Sequence, residues 1–161
     1  MIFVTVGTQL AFDRMIESVD KWAHERGIAD IFFQIAEGEY QPKVGRTERY
    51  VDASLYEDVF SGSELIVGHA GMGSIITSLE NNKEIVVFPR RYALGEHRND
   101  HQMATAKRIT DLAGCHVAWD TNELWTALDA FIKGNHSGKK VEREDTQLLA
   151  LCDYLDSYTT A

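Results

Sequence analysis

Four short runs of this chain are apolar at nearly every position: Ile2-Phe3-Val4-Thr5-Val6, Ile31-Phe32-Phe33-Gln34-Ile35, Leu65-Ile66-Val67 and Ile85-Val86-Val87-Phe88. A strand with one wet face alternates polar and apolar residues, so runs without alternation predict strands covered on both faces. Between them the pattern turns helical. Met15, Ile16, Val19 and Trp22 share one face of a helix that Asp13 is placed to cap and that ends near Gly27. Arg49-Tyr50-Val51 reads as a short third strand, and Ser54-Leu55-Tyr56-Glu57 is a capping-box signature opening a helix that stops near Gly62. Further helical patterns start at Met72, Asn99 and Thr121, and Cys115 to Trp119 reads as a sixth strand. Buried strands alternating with helices predict an α/β fold: a Rossmann-like, doubly wound parallel sheet of about six strands. Ligands of such sheets bind at the carboxyl ends of the strands, which directs attention to the loops after strands one, four and five.

With 161 residues, 44% of them apolar, the chain has the length and core material of one domain. We place that domain at residues 1–133 and assign 134–161 to a linker and a C-terminal helix. Lys133 to Lys140 is the most linker-like stretch, and beyond it Leu148, Leu149, Leu151, Cys152 and Leu155 recur at helical spacing, for packing on the domain or on a partner. A net charge of −9 without a basic helix argues against nucleic acid as a partner, so an anionic ligand must be met by a local cluster. No apolar run approaches the ~20 residues that span a bilayer, and Met1 leads directly into the first strand, so the expected location is cytoplasmic, with Cys115 and Cys152 reduced.

Two loops concentrate chemistry. Gly68-His69-Ala70-Gly71-Met72-Gly73-Ser74 joins the fourth strand to a helix. Glycines admit a ligand close to the backbone, and a helix start presents unpaired N–H groups and partial positive charge, a setting for phosphate; glycines at such turns also serve as plain packing devices. The segment from Pro89 to Gln102 after the fifth strand holds three Arg and two His. Arginines suit diphosphate, and the Asn, Asp, His and Gln at its end suit sugar hydroxyls. A third loop, Val6-Gly7-Thr8-Gln9, lacks the full Gly-x-Gly-x-x-Gly fingerprint, which disfavours a dinucleotide oxidoreductase. The chain also has no phosphate-loop Gly-x-x-x-x-Gly-Lys-Ser/Thr, no Cys pair, no His-Glu-x-x-His and no Gly-x-Ser-x-Gly.

Taken in order, Val4-Thr5-Val6-Gly7-Thr8, His69-Ala70-Gly71-Met72-Gly73-Ser74 and Gly95-Glu96-His97-Arg98-Asn99-Asp100-His101-Gln102 resemble the nucleotide-sugar-binding half of GT-B glycosyltransferases, the glycosyltransferase family 28 C-terminal domain. The likeness runs from about Met1 to Trp119 and is nearest to the short, free-standing donor subunits of two-part UDP-sugar transferases. The resemblance implies diphosphate binding by Gly7, Thr8, Gly71, Gly73 and Ser74, with His69 stabilising the leaving group and Arg98, or Arg90 or Arg91, assisting. It implies that Tyr50 and Val51 read the uracil edge and that Asn99, Asp100, His101 and Gln102 hold the sugar. The family usually places a ribose-binding Glu where this chain has Thr77, with Glu80 one turn further as a substitute.

The implied activity is an inverting, metal-independent transfer of a hexose-type sugar from UDP to a polyprenyl-diphosphate-linked glycan, in exopolysaccharide or related glycan synthesis, with no cofactor. A GT-B enzyme closes two such domains over a cleft, so the other half would be a membrane-anchored, acceptor-binding partner that holds this chain at the inner face of a membrane. That partner would supply the general base, with His97 or Glu96 as candidates here. A non-catalytic enhancer subunit and a nucleotide-sugar epimerase are the other readings; Thr77 favours the first, and chain length opposes the second.

Overall fold

The computed structural model describes residues 1–134 and 149–153. All six strands pair in parallel in the order β3-β2-β1-β4-β5-β6. They are β1 (Ile2–Thr5), β2 (Ile31–Gln34), β3 (Arg46–Glu48), β4 (Leu65–Gly68), β5 (Glu84–Val87) and β6 (Cys115–Val117), joined by α1 (Asp13–Arg26), α2 (Ala53–Gly62), α3 (Met72–Glu80), α4 (His101–Ile109) and α5 (Thr121–Ile132). The doubly wound parallel sheet is the one anticipated from the apolar runs and the helices between them, and its order puts the switch point between β1 and β4.

Successive strand residues alternate faces, and the two cores follow that alternation. Ile2 and Val4 of β1, Ile31 and Phe33 of β2, and Leu65 and Val67 of β4 pack with Met15, Ile16, Val19 and Trp22 of α1 and Leu124 and Leu128 of α5. Phe3, Phe32, Ile66, Ile85 and Val87 face the other way, against Val59 and Phe60 of α2, Ile75 and Leu79 of α3, and Ala106 and Ile109 of α4. Residues 149–153 are helical, and Leu151 is buried in this second core, whereas Leu149 is exposed. Leu148, Leu155 and nearly all of the proposed linker lie outside the described residues.

Several local expectations are corrected. The third strand lies at Arg46–Glu48, three residues before the expected Arg49-Tyr50-Val51. It is a polar edge strand selected by pairing with Phe32, Phe33 and Gln34 rather than by its own hydrophobicity. Asp13 does not cap α1. Phe12 holds that position, and the Asp13 carboxylate accepts instead from the N–H groups of Glu39 and Tyr40, fastening the loop after β2. The cap of α2 is Asp52, whose carboxylate accepts from Leu55 N, and not Ser54. The helix expected from Asn99 begins at His101.

The register places Thr5 beside Gln34 on one side and Gly68 on the other. These three residues form the floor from which the polar loops rise.

Candidate functional site

A cleft of about 650 Å³ opens above the carboxyl ends of the central strands, and it is built from the loop after β1, the start of α2, the β4–α3 turn and Arg90, His97 and Gln102 of the β5–α4 segment. A network at the floor shapes the first of these loops. Thr5 Oγ1 donates to Gln34 Oε1 at 2.7 Å, Gln34 Nε2 donates to Gly7 O and Arg49 O at 2.9 and 3.0 Å, and Gly7 N donates back to Thr5 Oγ1 at 3.2 Å. Gly7 takes a left-handed conformation, φ +77°, that side chains disfavour.

The imidazole of His69 fills the space between Gly7 and Gly71. A Cβ on Gly7 would stand 2.7 Å from His69 Nε2, and a Cβ on Gly71 would overlap Cε1. Both glycines are therefore required by the histidine, as close-approach positions. The hydrogen bonds assign its tautomer. Gln102 Oε1 accepts from Arg90 N at 3.0 Å, which turns Gln102 Nε2 toward His69 Nδ1, 3.0 Å away. Nδ1 must then accept, and the imidazole proton sits on Nε2, the atom beside Gly7. Burial pushes the His69 pKa down to about 4, with the Arg90 guanidinium and His97 adding to the effect and the Gln102 bond opposing it. At neutral pH this group is an uncharged N–H donor, not a cation.

Next to it, α3 starts without a side-chain cap at Gly71. The first N–H groups of α3 border the cleft through Met72, Gly73 and Ser74. Unpaired donors and the positive end of the helix dipole together suit an anion.

The β5–α4 segment behaves otherwise. Arg90 is only 2% exposed, and its guanidinium donates to the carbonyls of Val6 (2.9 Å), Leu10 (2.8 Å) and Ala11. Burial lowers its pKa to about 10, against the favourable field of Glu96. Arg90 borders the cleft yet holds the β1 loop in place, and Arg91 donates to Trp119 O. Glu96, a candidate base from sequence, is clamped by Arg14 through bonds of 2.5 and 2.9 Å and accepts from Arg91 N at 2.8 Å. Its carboxylate is held as a structural ion pair. Asp100 accepts from Tyr92 N, and Asn99 Oδ1 accepts from His101 N while facing His97 Nδ1 at 3.1 Å. That contact makes His97 Nδ1 the protonated nitrogen and leaves Nε2 to accept.

Of the residues singled out from sequence, Gly7, Thr8, Tyr50, Val51, His69, Gly71, Gly73, Ser74, Thr77, Arg90, His97 and Gln102 line the cleft. Asn99, Asp100 and His101 are outside its lining, and Glu80 is exposed at the end of α3, also outside. Arg98 belongs to a second cavity of about 390 Å³, lined by Gln9, Leu10, Gly95, Glu96, His97 and Arg98, which adjoins the cleft through the shared Gln9, Leu10 and His97. Gln34 and Glu57 also line the cleft without having been read as site residues: Glu57 was seen only as part of a helix-start signature, and for Gln34 the usable signal was a glutamine within an otherwise apolar strand. Among the described residues there is no cluster of three or more His, Cys, Asp or Glu that could hold a metal ion, and no helix is long and apolar enough to cross a membrane.

Comparison with known proteins identifies the family and the fold. The relatives include the UDP-N-acetylglucosamine transferase subunit ALG13 of Mus musculus, 34% identical over 119 residues, or 66% of this chain and 10% of that protein. The Homo sapiens protein of the same name is 33% identical over 120 residues, 67% of this chain and 10% of its own length. The chain thus spans about a tenth of these relatives. Among solved structures, the NMR structure of ALG13 superposes with a TM-score of 0.57 at 17% identity, covering 80% of this chain and 83% of that one. The glycotransferase of kitacinnamycin gives 0.62 at 18% identity, over 86% and 36% of the two chains. MurG of Acinetobacter baumannii gives 0.59 at 16%, over 81% and 40%. At such identities these structures share the fold. Residues 1–148 match the glycosyltransferase family 28 C-terminal domain, and the chain belongs to that family, with the Rossmann-like architecture of the C-terminal half of a GT-B glycosyltransferase.

Proposed function

We propose that this chain is the donor-binding part of an inverting, metal-independent UDP-sugar glycosyltransferase that works with an acceptor-binding partner. The observation that carries the reading is convergence: the neutral Nε2–H donor of His69 and the uncapped start of α3 meet in one cleft at the switch point of the sheet. Both are preorganised to receive the diphosphate. Uridine would then lie toward Tyr50, Val51 and Thr77, and the sugar toward His97.

In the transfer, an acceptor hydroxyl oxygen forms a bond to the sugar C1 as the bond from C1 to the diphosphate oxygen breaks, inverting the anomeric centre and releasing UDP. Negative charge grows on the departing diphosphate, where the helix start and His69 stabilise it more in the transition state than in the ground state. The hydroxyl proton goes to a base supplied by the partner or to Nε2 of His97. The ALG13 relatives are named as subunits, which supports a partner-dependent enzyme. A membrane-anchored partner, a polyprenyl-diphosphate-linked acceptor, a role in exopolysaccharide or related glycan synthesis and a place at the inner face of a membrane complete the proposal.

The experiment is calorimetric titration of the chain with UDP in EDTA, with ADP as control. Saturable binding that favours UDP is the expected result; absence of binding, alone and with the partner, would refute the donor role. One observation favours the enhancer reading: Thr77 borders the cleft where the family carries a carboxylate, and Glu80 is outside it. A partner that turns over its donor at full rate by itself would establish that reading instead.

A further inference from the structure

The second cavity continues the cleft on the side away from Tyr50 and Val51, beyond the shared Gln9, Leu10 and His97. On the donor-site reading proposed above, a ligand with its nucleoside between Tyr50 and Thr77 and its diphosphate at His69 and α3 extends its sugar into this second space. Its charge is one-sided. Glu96, the only carboxylate among the described residues of the lining, is already neutralised by the two-point Arg14 pair and by Arg91 N–H. Arg98 is exposed, lines the same cavity and pairs with no carboxylate of the described residues. Arg14, Arg90 and Arg91 stand behind it, engaged with Glu96 or with backbone carbonyls. In a protein of net charge −9, this corner offers a guanidinium and no uncompensated anion.

We infer that the second cavity selects a donor sugar bearing a carboxylate, a hexuronic acid, with Arg98 as its specificity-determining residue. A neutral hexose would leave that guanidinium without a counter-charge. A uronate carboxylate matches its forked donors, and a charge-assisted pair of this kind discriminates where a hydroxyl contact does not.

The test is titration of the full chain with UDP, UDP-glucuronate and UDP-glucose, repeated with Arg98→Gln. The expected result is UDP-glucuronate binding about tenfold more tightly than UDP-glucose, a preference that falls to within about twofold in Arg98→Gln. Equal affinity for the two sugars in the unmodified chain would overturn the inference while leaving the donor site standing. A loss in Arg98→Gln that is the same for both sugars would also overturn it, by placing Arg98 on the diphosphate. Failure of all three ligands to bind would refute the donor site itself and this inference with it.

Discussion

The turn after β4 and the segment after β5 leave neighbouring strands at the same edge of the sheet, and both are rich in residues suited to an anion, yet they do opposite work. The β4–α3 turn presents open donors: an imidazole N–H held between two glycines and a helix start with no side-chain cap. The β5–α4 segment, with far more charge, turns most of that charge inward. Arg90 holds three carbonyls of the β1 loop, Arg91 holds Trp119, Glu96 holds Arg14, and Gln102 orients His69. The lesson is that density of polar residues does not mark the ligand. The site is where donors face the cleft, and the dense segment, apart from a buried Arg91 Nε that has no partner, spends its donors on the frame that keeps them there.

The contrast breaks most sharply at Arg90. Replacing it with Met leaves the buried carbonyl of Val6 and the part-buried carbonyls of Leu10 and Ala11 without their donor. We expect a loss on the order of 3 kcal/mol in urea unfolding, with Arg90→Lys recovering little because one ammonium does not reproduce the fork. A change under ~1 kcal/mol would mean that the segment is not the frame.

Next in size is the pH dependence of His69. Its folded pKa, near 4, lies below the ordinary 6.5, so between those values the unfolded chain takes up a proton that the folded chain does not. The stabilisation from keeping it neutral is complete above about pH 6.5 and is lost as the pH falls toward 4. Unfolding free energies from pH 7 down to 4 should therefore fall more steeply in the unmodified chain than in His69→Gln, by on the order of 2 kcal/mol across the window. Parallel curves would show that His69 is not held neutral.

Gly71→Ala sharpens the other side. The added methyl overlaps His69 Cε1 and must drive the ring from its place, weakening UDP binding by about tenfold, whereas Gly73→Ala, with nothing within 4 Å of its Cβ, leaves the ring where it is. The mildest expectation is for Glu96→Gln. Breaking its part-exposed pair with Arg14 should cost about 1 kcal/mol in thermal unfolding, with UDP affinity nearly unchanged.

The same contrast explains what could be read ahead of the structure. β1, β2, β4 and β5 were legible because a strand covered on both faces is apolar throughout, and their parallel pairing followed from the alternation with helices, whereas the order in which they lie side by side was not read from the sequence. β3 was not, since Arg46-Thr47-Glu48 is polar and becomes a strand only by pairing with β2. Asp13 misled as a cap because its partners, Glu39 and Tyr40, come from a distant loop. Within the site, the glycines of the β4–α3 turn were read in sequence as admitting a ligand, whereas the group that crowds Gly7 and Gly71 is the His69 ring. That Arg90 and Glu96 serve the frame could not be read, because their partners lie in the β1 loop and α1, far away along the chain.

A diphosphate seated at the start of α3 against a neutral His69 is visible to NMR titration of the isotope-labelled chain with UDP. The amide signals of Met72, Gly73 and Ser74 and the His69 ring signals are expected to shift together and saturate at one affinity, while the imidazole stays uncharged at pH 7. Shifts confined to the β5–α4 segment, with those of α3 unmoved, would contradict it.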